Sequence, residues 1–159
     1  MSDLQDQSRA DAHWRTGALD GRCLCGAVSV RVAGRHREGV GVCHCRLCQR
    51  WSGMAWGAFE AAPEAVTVAG AVATYASTPF SERAFCPRCG AHLWLRDTDD
   101  IEAPFELMPG LFDEAAGFPL ISEIYADRAP AYAPLAGAHR RETRAGYEAQ
   151  NRHIEGDLP

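Results

Sequence analysis

The chain has 159 residues and is 47% hydrophobic, which suits one domain with a buried core and excludes a wholly disordered chain. Its formal charge of −5, from 16 basic and 21 acidic residues, argues against coating nucleic acid by bulk electrostatics. Every apolar run is far shorter than the ~20 residues that a membrane helix needs.

Residues 1–20 are polar and poorly periodic, so they are expected to form a flexible arm. Asp3, Asp6, Asp11 and Asp20, with no apolar h-region, do not read as a secretory leader. Residues 27–32 alternate apolar and polar, the pattern of a half-buried strand. A second short strand is expected at 39–43, then one helical turn at 46–51, broken by Ser52-Gly53. Short β-like runs follow at 54–59, 65–68 and 73–77, punctuated by Pro63, Gly70 and Pro79. Further strands are expected at 82–85, 91–96, 101–108 and 120–125. Helical composition is confined to 142–152.

This succession predicts a mainly all-β domain of coiled antiparallel sheets over residues 21–150, with a short C-terminal helix and a loose tail at 151–159. No alternating βα rhythm supports a doubly wound nucleotide fold. All the basic residues are arginine. Schiff-base, lysine general-base and Walker-lysine chemistries are therefore excluded, and a GC-rich genome accounts for the bias.

Seven cysteines fall in three clusters: Cys23-Leu24-Cys25-Gly26, Cys43-His44-Cys45-Arg46-Leu47-Cys48 and Cys86-Pro87-Arg88-Cys89-Gly90. They are too sparse and too tightly spaced for a disulfide scaffold, and point to metal thiolates in a reducing compartment, the cytoplasm. Zinc suits them best, although iron–sulfur clusters also take thiolates. Spacing alone allows a ribbon that pairs Cys45 and Cys48 with Cys86 and Cys89. Gly26 and Gly90 favour another grouping. Each permits a tight knuckle whose N–H groups can point at sulfur, so Cys23, Cys25, Cys86 and Cys89 would close a structural zinc site.

Cys43, Cys45 and Cys48 then hold a second zinc from one side, the pattern of a catalytic zinc with an open position. His44 between them is expected to turn its ring away. The rival readings are a second closed site and a metal-free redox trio. Three thiolates leave zinc net negative, poor at activating water but suited to a soft fourth ligand such as a substrate thiol. A free thiol is only ~3% ionised at pH 7, so full ionisation yields at most ~30-fold, and orientation must supply the rest.

These motifs, in this order, resemble the glutathione-dependent formaldehyde-activating enzyme family, which includes centromere protein V. The resemblance runs from Gly21 to about Pro134. It implies coiled antiparallel sheets, a four-cysteine structural zinc and a three-cysteine zinc at the active site. It also implies a reaction joining glutathione, as cosubstrate, to formaldehyde. Where many relatives carry a histidine after the Pro119-like position, this chain reads Ile121-Ser122-Glu123-Ile124-Tyr125.

The expected function is a zinc-dependent carbon–sulfur lyase that adds a thiol to a small aldehyde, or catalyses the reverse. Cys43, Cys45 and Cys48 carry the catalysis, and His44, Arg46, Arg50 and Trp51 are candidates for substrate binding. Arg88, Trp56 and His92 are weighed mainly as structural, and Glu123 and Tyr125 would border the site if the C-terminal strand covers it. The rivals are a non-catalytic thiol-binding module and a thiol-redox protein. Small-molecule partners are expected, with neither nucleic acid nor membrane, and a homodimer is allowed.

Overall fold

A computed structural model describes residues 12–153. The chain opens with a long hairpin, β1 (Trp14–Arg22) against β2 (Ser29–Arg37), then β3 (Val40–Cys43), helix α1 (Arg46–Ser52), β4 (Trp56–Ala61) and β5 (Val66–Ala69). A meander follows: β6 (Ala73–Thr78), β7 (Ser81–Phe85), β8 (His92–Asp97) and β9 (Phe105–Leu107). β10 (Leu120–Ile124), β11 (Arg140–Glu142) and helix α2 (Arg144–Glu148) complete it. Among the described residues the strands form one open sheet in the order β11-β10-β3-β4-β9-β8-β7-β6, with β2 joining β1 and β5 to β4.

The mainly β expectation holds, and each strand and the turn of helix foreseen between residues 27 and 125 has its counterpart. The sheet is mixed, because β10 runs parallel to both β3 and β11. Long excursions separate these strands, and only such connections can return a chain in parallel. β1 takes in residues 14–20, which the sequence reading gave to the arm. Only Leu19 and Gly21 are buried along it, so this edge strand carries little hydrophobic signal. Residues 1–11 and 154–159 lie outside the described residues. No described helix is long and apolar enough to cross a membrane.

Alternation sorts the sheet into two faces. Val30 and Val32 of β2 are fully buried, while Ser29 and Arg31, which alternate with them, face solvent. On β4, Phe59 and Ala61 enter the main core with Leu107 of β9, and Trp56 and Ala58 point the other way, into a smaller cluster with Cys43, Cys45 and Cys48. Phe59 meets Phe112 and Phe118 edge-on at 5.2 and 5.4 Å, a favoured aromatic geometry. The sheet is thus the wall between a dry core and a cysteine-lined second face.

Leu107, fully buried and in register with both Phe59 and Trp94, sits at the centre of that wall. Leu107→Ala should cost about 2–5 kcal/mol of unfolding free energy. Chemical denaturation should show a lower midpoint at unchanged slope.

Candidate metal centres and active site

Two of the cysteine clusters are the tips of hairpins. β1 and β2 remain paired up to Arg22↔Ser29, and the turn beyond carries Cys23 and Cys25. β7 and β8 pair up to Phe85↔His92, and their turn carries Cys86 and Cys89. The two turns differ by one residue, yet each ends in a glycine that bonds back to the carbonyl of its first cysteine. Gly26 N–H donates to Cys23 C=O at 3.0 Å and Gly90 N–H to Cys86 C=O at 2.8 Å. Both glycines take φ 75°, where a side chain is disfavoured.

The four sulfurs meet within 4.8 Å of one another, with Cys23–Cys25 at 3.6 Å and Cys25–Cys86 at 3.8 Å. A zinc tetrahedron with bonds of ~2.3 Å needs sulfurs about 3.8 Å apart, so this donor set fits zinc. The Val28 N–H points at Cys23 Sγ from 3.3 Å. Burial pushes the Cys23 thiol up, but this N–H and the neighbouring thiols more than reverse it, leaving it at about 6.

The middle cluster is built by the end of β3 and the start of α1. Cys43 closes β3, in register with Trp56 of β4 and Ile124 of β10. Cys45 is the N-cap of α1, its sulfur accepting from the Cys48 N–H at 3.4 Å. This bond puts Cys45 and Cys48 on one side of the first turn. Gly53 ends the helix in a left-handed cap. The three sulfurs lie within 4.8 Å of one another, all buried. Among the described residues no fourth Cys, His, Asp or Glu donor joins them.

Hydrogen bonds from the Cys43 and Cys48 thiols pull Cys45 down to about 3, helped by the Cys48 N–H and the Arg83 charge. Cys43 goes the other way, raised by the same contacts and by burial. Three sulfurs this close cannot all ionise without a cation among them, which is the electrostatic demand of a metal site.

A cavity of about 400 Å³ opens beside this trio. Cys43 and Cys48 line it, and fully buried Cys45 does not. Arg83, 3% exposed on β7, reaches Cys48 Sγ with Nη2 at 3.4 Å and lies over Trp56 and Trp51 at 5.6 and 5.8 Å. A smaller cavity of about 190 Å³ adjoins the larger one. The two share Cys43, Trp56, Glu106, Ile124 and Tyr147.

His44 turns away from the trio, as expected. Its Nε2 lies 2.8 Å from Glu123 Oε2, while His139 and Arg141 hold the other carboxylate oxygen. Burial pushes Glu123 up, but the bonds from His139 and His44 bring it below the usual carboxylate range. Neither His44, Arg46, Arg50 nor Trp51 lines either cavity. Arg46, Arg50 and Arg88 are exposed, and Trp51 packs on Tyr75, Phe85 and His92. Tyr125 is buried in the trio's cluster and donates to Glu148 at 2.9 Å.

Arg83, Glu106 and Tyr147 are absent from the sequence reading, because no motif marks them. Glu106 alone left a trace, as a carboxylate between apolar Phe105 and Leu107 on a short strand.

Fold and site together define a β protein with two converged cysteine centres, one of four sulfurs and one of three. The chain belongs to the glutathione-dependent formaldehyde-activating enzyme family, which matches residues 18–128 and so contains all seven cysteines. An uncharacterized lyase of Schizosaccharomyces pombe is 28% identical over 112 residues, 70% of this chain and 80% of the relative. A Rhodobacter sphaeroides protein of known crystal structure is 21% identical, with TM-score 0.49, covering 64% of this chain and 99% of that one.

Cys86→Ser should remove about one zinc per chain and lower the melting temperature strongly, because a structural metal site contributes folding energy. Cys43→Ser should remove about one zinc with a smaller thermal effect. Elemental analysis and calorimetry on the purified proteins read both.

Proposed function

We propose that the protein is a zinc-dependent carbon–sulfur lyase-type enzyme that joins a thiol, glutathione, to a small aldehyde such as formaldehyde, or runs the reverse. The observation that carries this reading is the buried trio of Cys43, Cys45 and Cys48 at the wall of a cavity of about 400 Å³, with no fourth protein donor among the described residues. Family membership and a relative named as a lyase support the same class of reaction.

Cys43, Cys45 and Cys48 would hold the catalytic zinc, and Cys23, Cys25, Cys86 and Cys89 the structural one. Zinc bound by the trio supplies a soft position for a substrate thiol and favours its thiolate form. The chain does the rest. Arg83 donates to Cys48 and offsets the negative charge of the cluster. Trp56, Leu47 and Ile124 line the cavity with apolar surface, which limits water beside the sulfurs and strengthens every charge interaction there. The Arg83 guanidinium lines the same cavity and offers a glutathione carboxylate a cationic partner, whereas Arg152 is already held by Asp97 and Asp99. The placement of His44, Arg46, Arg50 and Trp51 gives no support to their expected contact with substrate.

All seven cysteines are free and all belong to the two groups, which leaves none for a separate redox centre. Free thiols suit a reducing, cytoplasmic setting.

Cys45→Ser removes the central donor while sparing the four-sulfur centre. Exchange NMR on mixtures of glutathione and formaldehyde should show the catalysed rate of S-hydroxymethylglutathione formation falling by about 100-fold or more. An unchanged rate would remove the trio from the chemistry.

A further inference from the structure

Adding a thiol to an aldehyde moves one proton. It leaves sulfur and must arrive at oxygen. The two cavities that meet at Cys43 share a single carboxyl group, that of Glu106. Resting on the thiol reading above, we propose that Glu106 is the proton shuttle of this site, taking the thiol proton and returning it to the aldehyde oxygen.

Strand alternation puts Glu106 there. Phe105 and Leu107 on either side of it pack into the main core, so Glu106 points to the cysteine face. The other acids nearby are committed. Glu60 lines only the smaller cavity and is held by Arg37 at 2.8 Å. Asp97 lines only the larger one and is held by Arg152. No hydrogen bond or ion pair to a described residue holds Glu106, so its oxygens are available to a substrate.

The groups that act on Glu106 are Glu60 on β4, Asp97 on β8, Arg83 on β7, Cys45 at the start of α1 and Tyr147 on α2. Burial first, then Glu60 and Asp97, raise its carboxyl to about 8, against the pull of Arg83. A carboxyl held that high is a stronger base than an ordinary carboxylate, and a site that favours the thiolate makes the transfer from thiol to Glu106 downhill.

The step balances. The S–H bond breaks toward the Glu106 carboxylate. The sulfur electron pair forms the S–C bond, and the C=O π pair moves onto oxygen. The Glu106 carboxylic acid then protonates that oxygen and returns to carboxylate, with no net proton gained or lost. The reverse elimination uses the same group in the opposite order.

Glu106→Gln keeps the size and neutrality of the protonated acid and loses the ability to accept a proton. Titration calorimetry of glutathione into both zinc-loaded proteins near pH 8, in two buffers of different ionisation enthalpy, counts protons released per thiol bound. A free thiol is about three-quarters protonated there. E106Q should release about 0.8 proton, and the wild type about half a proton less. Equal release in the two proteins overturns the shuttle while leaving thiol binding standing. Absence of binding to both overturns the thiol reading and the shuttle with it. In exchange NMR, E106Q should form S-hydroxymethylglutathione about 100-fold more slowly, with thiol affinity within about 3-fold of wild type. An unchanged rate also overturns the shuttle.

Discussion

Thiolates repel one another, and this chain folds so as to bring seven sulfurs into two groups, each closer than thiolates tolerate without a cation. The four-sulfur group joins two hairpin tips, β1–β2 and β7–β8, which are distant in sequence and do not pair with each other. Its spacing of 3.6–3.8 Å between neighbouring sulfurs matches what one tetrahedral ion requires. A domain whose edge strand β1 buries little side chain needs such a tie, because the hairpin alone would hold that edge weakly.

The sheet separates the two jobs. Its main-core face packs Phe59, Leu93 and Leu107. Its other face carries Trp56, Arg83, Glu106 and the cysteine trio, where charge and polar groups are concentrated. The C-terminal segment closes this face. β11 pairs with β10, His139 and Arg141 hold Glu123, and Tyr147 and Arg152 reach the larger cavity. That segment lies beyond the family match, which ends at residue 128. Glu123 in turn fixes His44, which fixes the backbone between two of the three sulfurs.

The cysteine grouping was legible because its cause is local. Gly26 and Gly90 take the same left-handed conformation at the same place after a cysteine, and that backbone aims each turn at sulfur. The strands were legible from alternation, as in Val30 and Val32. The substrate surface was not. Arg46 and Arg50 neighbour the ligands in sequence, yet the helix that begins at Cys45 turns them outward. Arg83, Glu106 and Tyr147 reach the cavity beside the trio from three distant elements, through sheet register and the fold of the C-terminus, and neither is written in any short motif. The parallel placement of β10 had no local signal for the same reason.

X-ray absorption at the zinc edge tests the central claim most directly. The account predicts two zinc ions per purified chain and an average of about 3.5 sulfurs per ion, from one site of four cysteines and one of three. Glutathione should raise that average to about 4. One zinc per chain, or an average that does not move when the thiol is added, would contradict it.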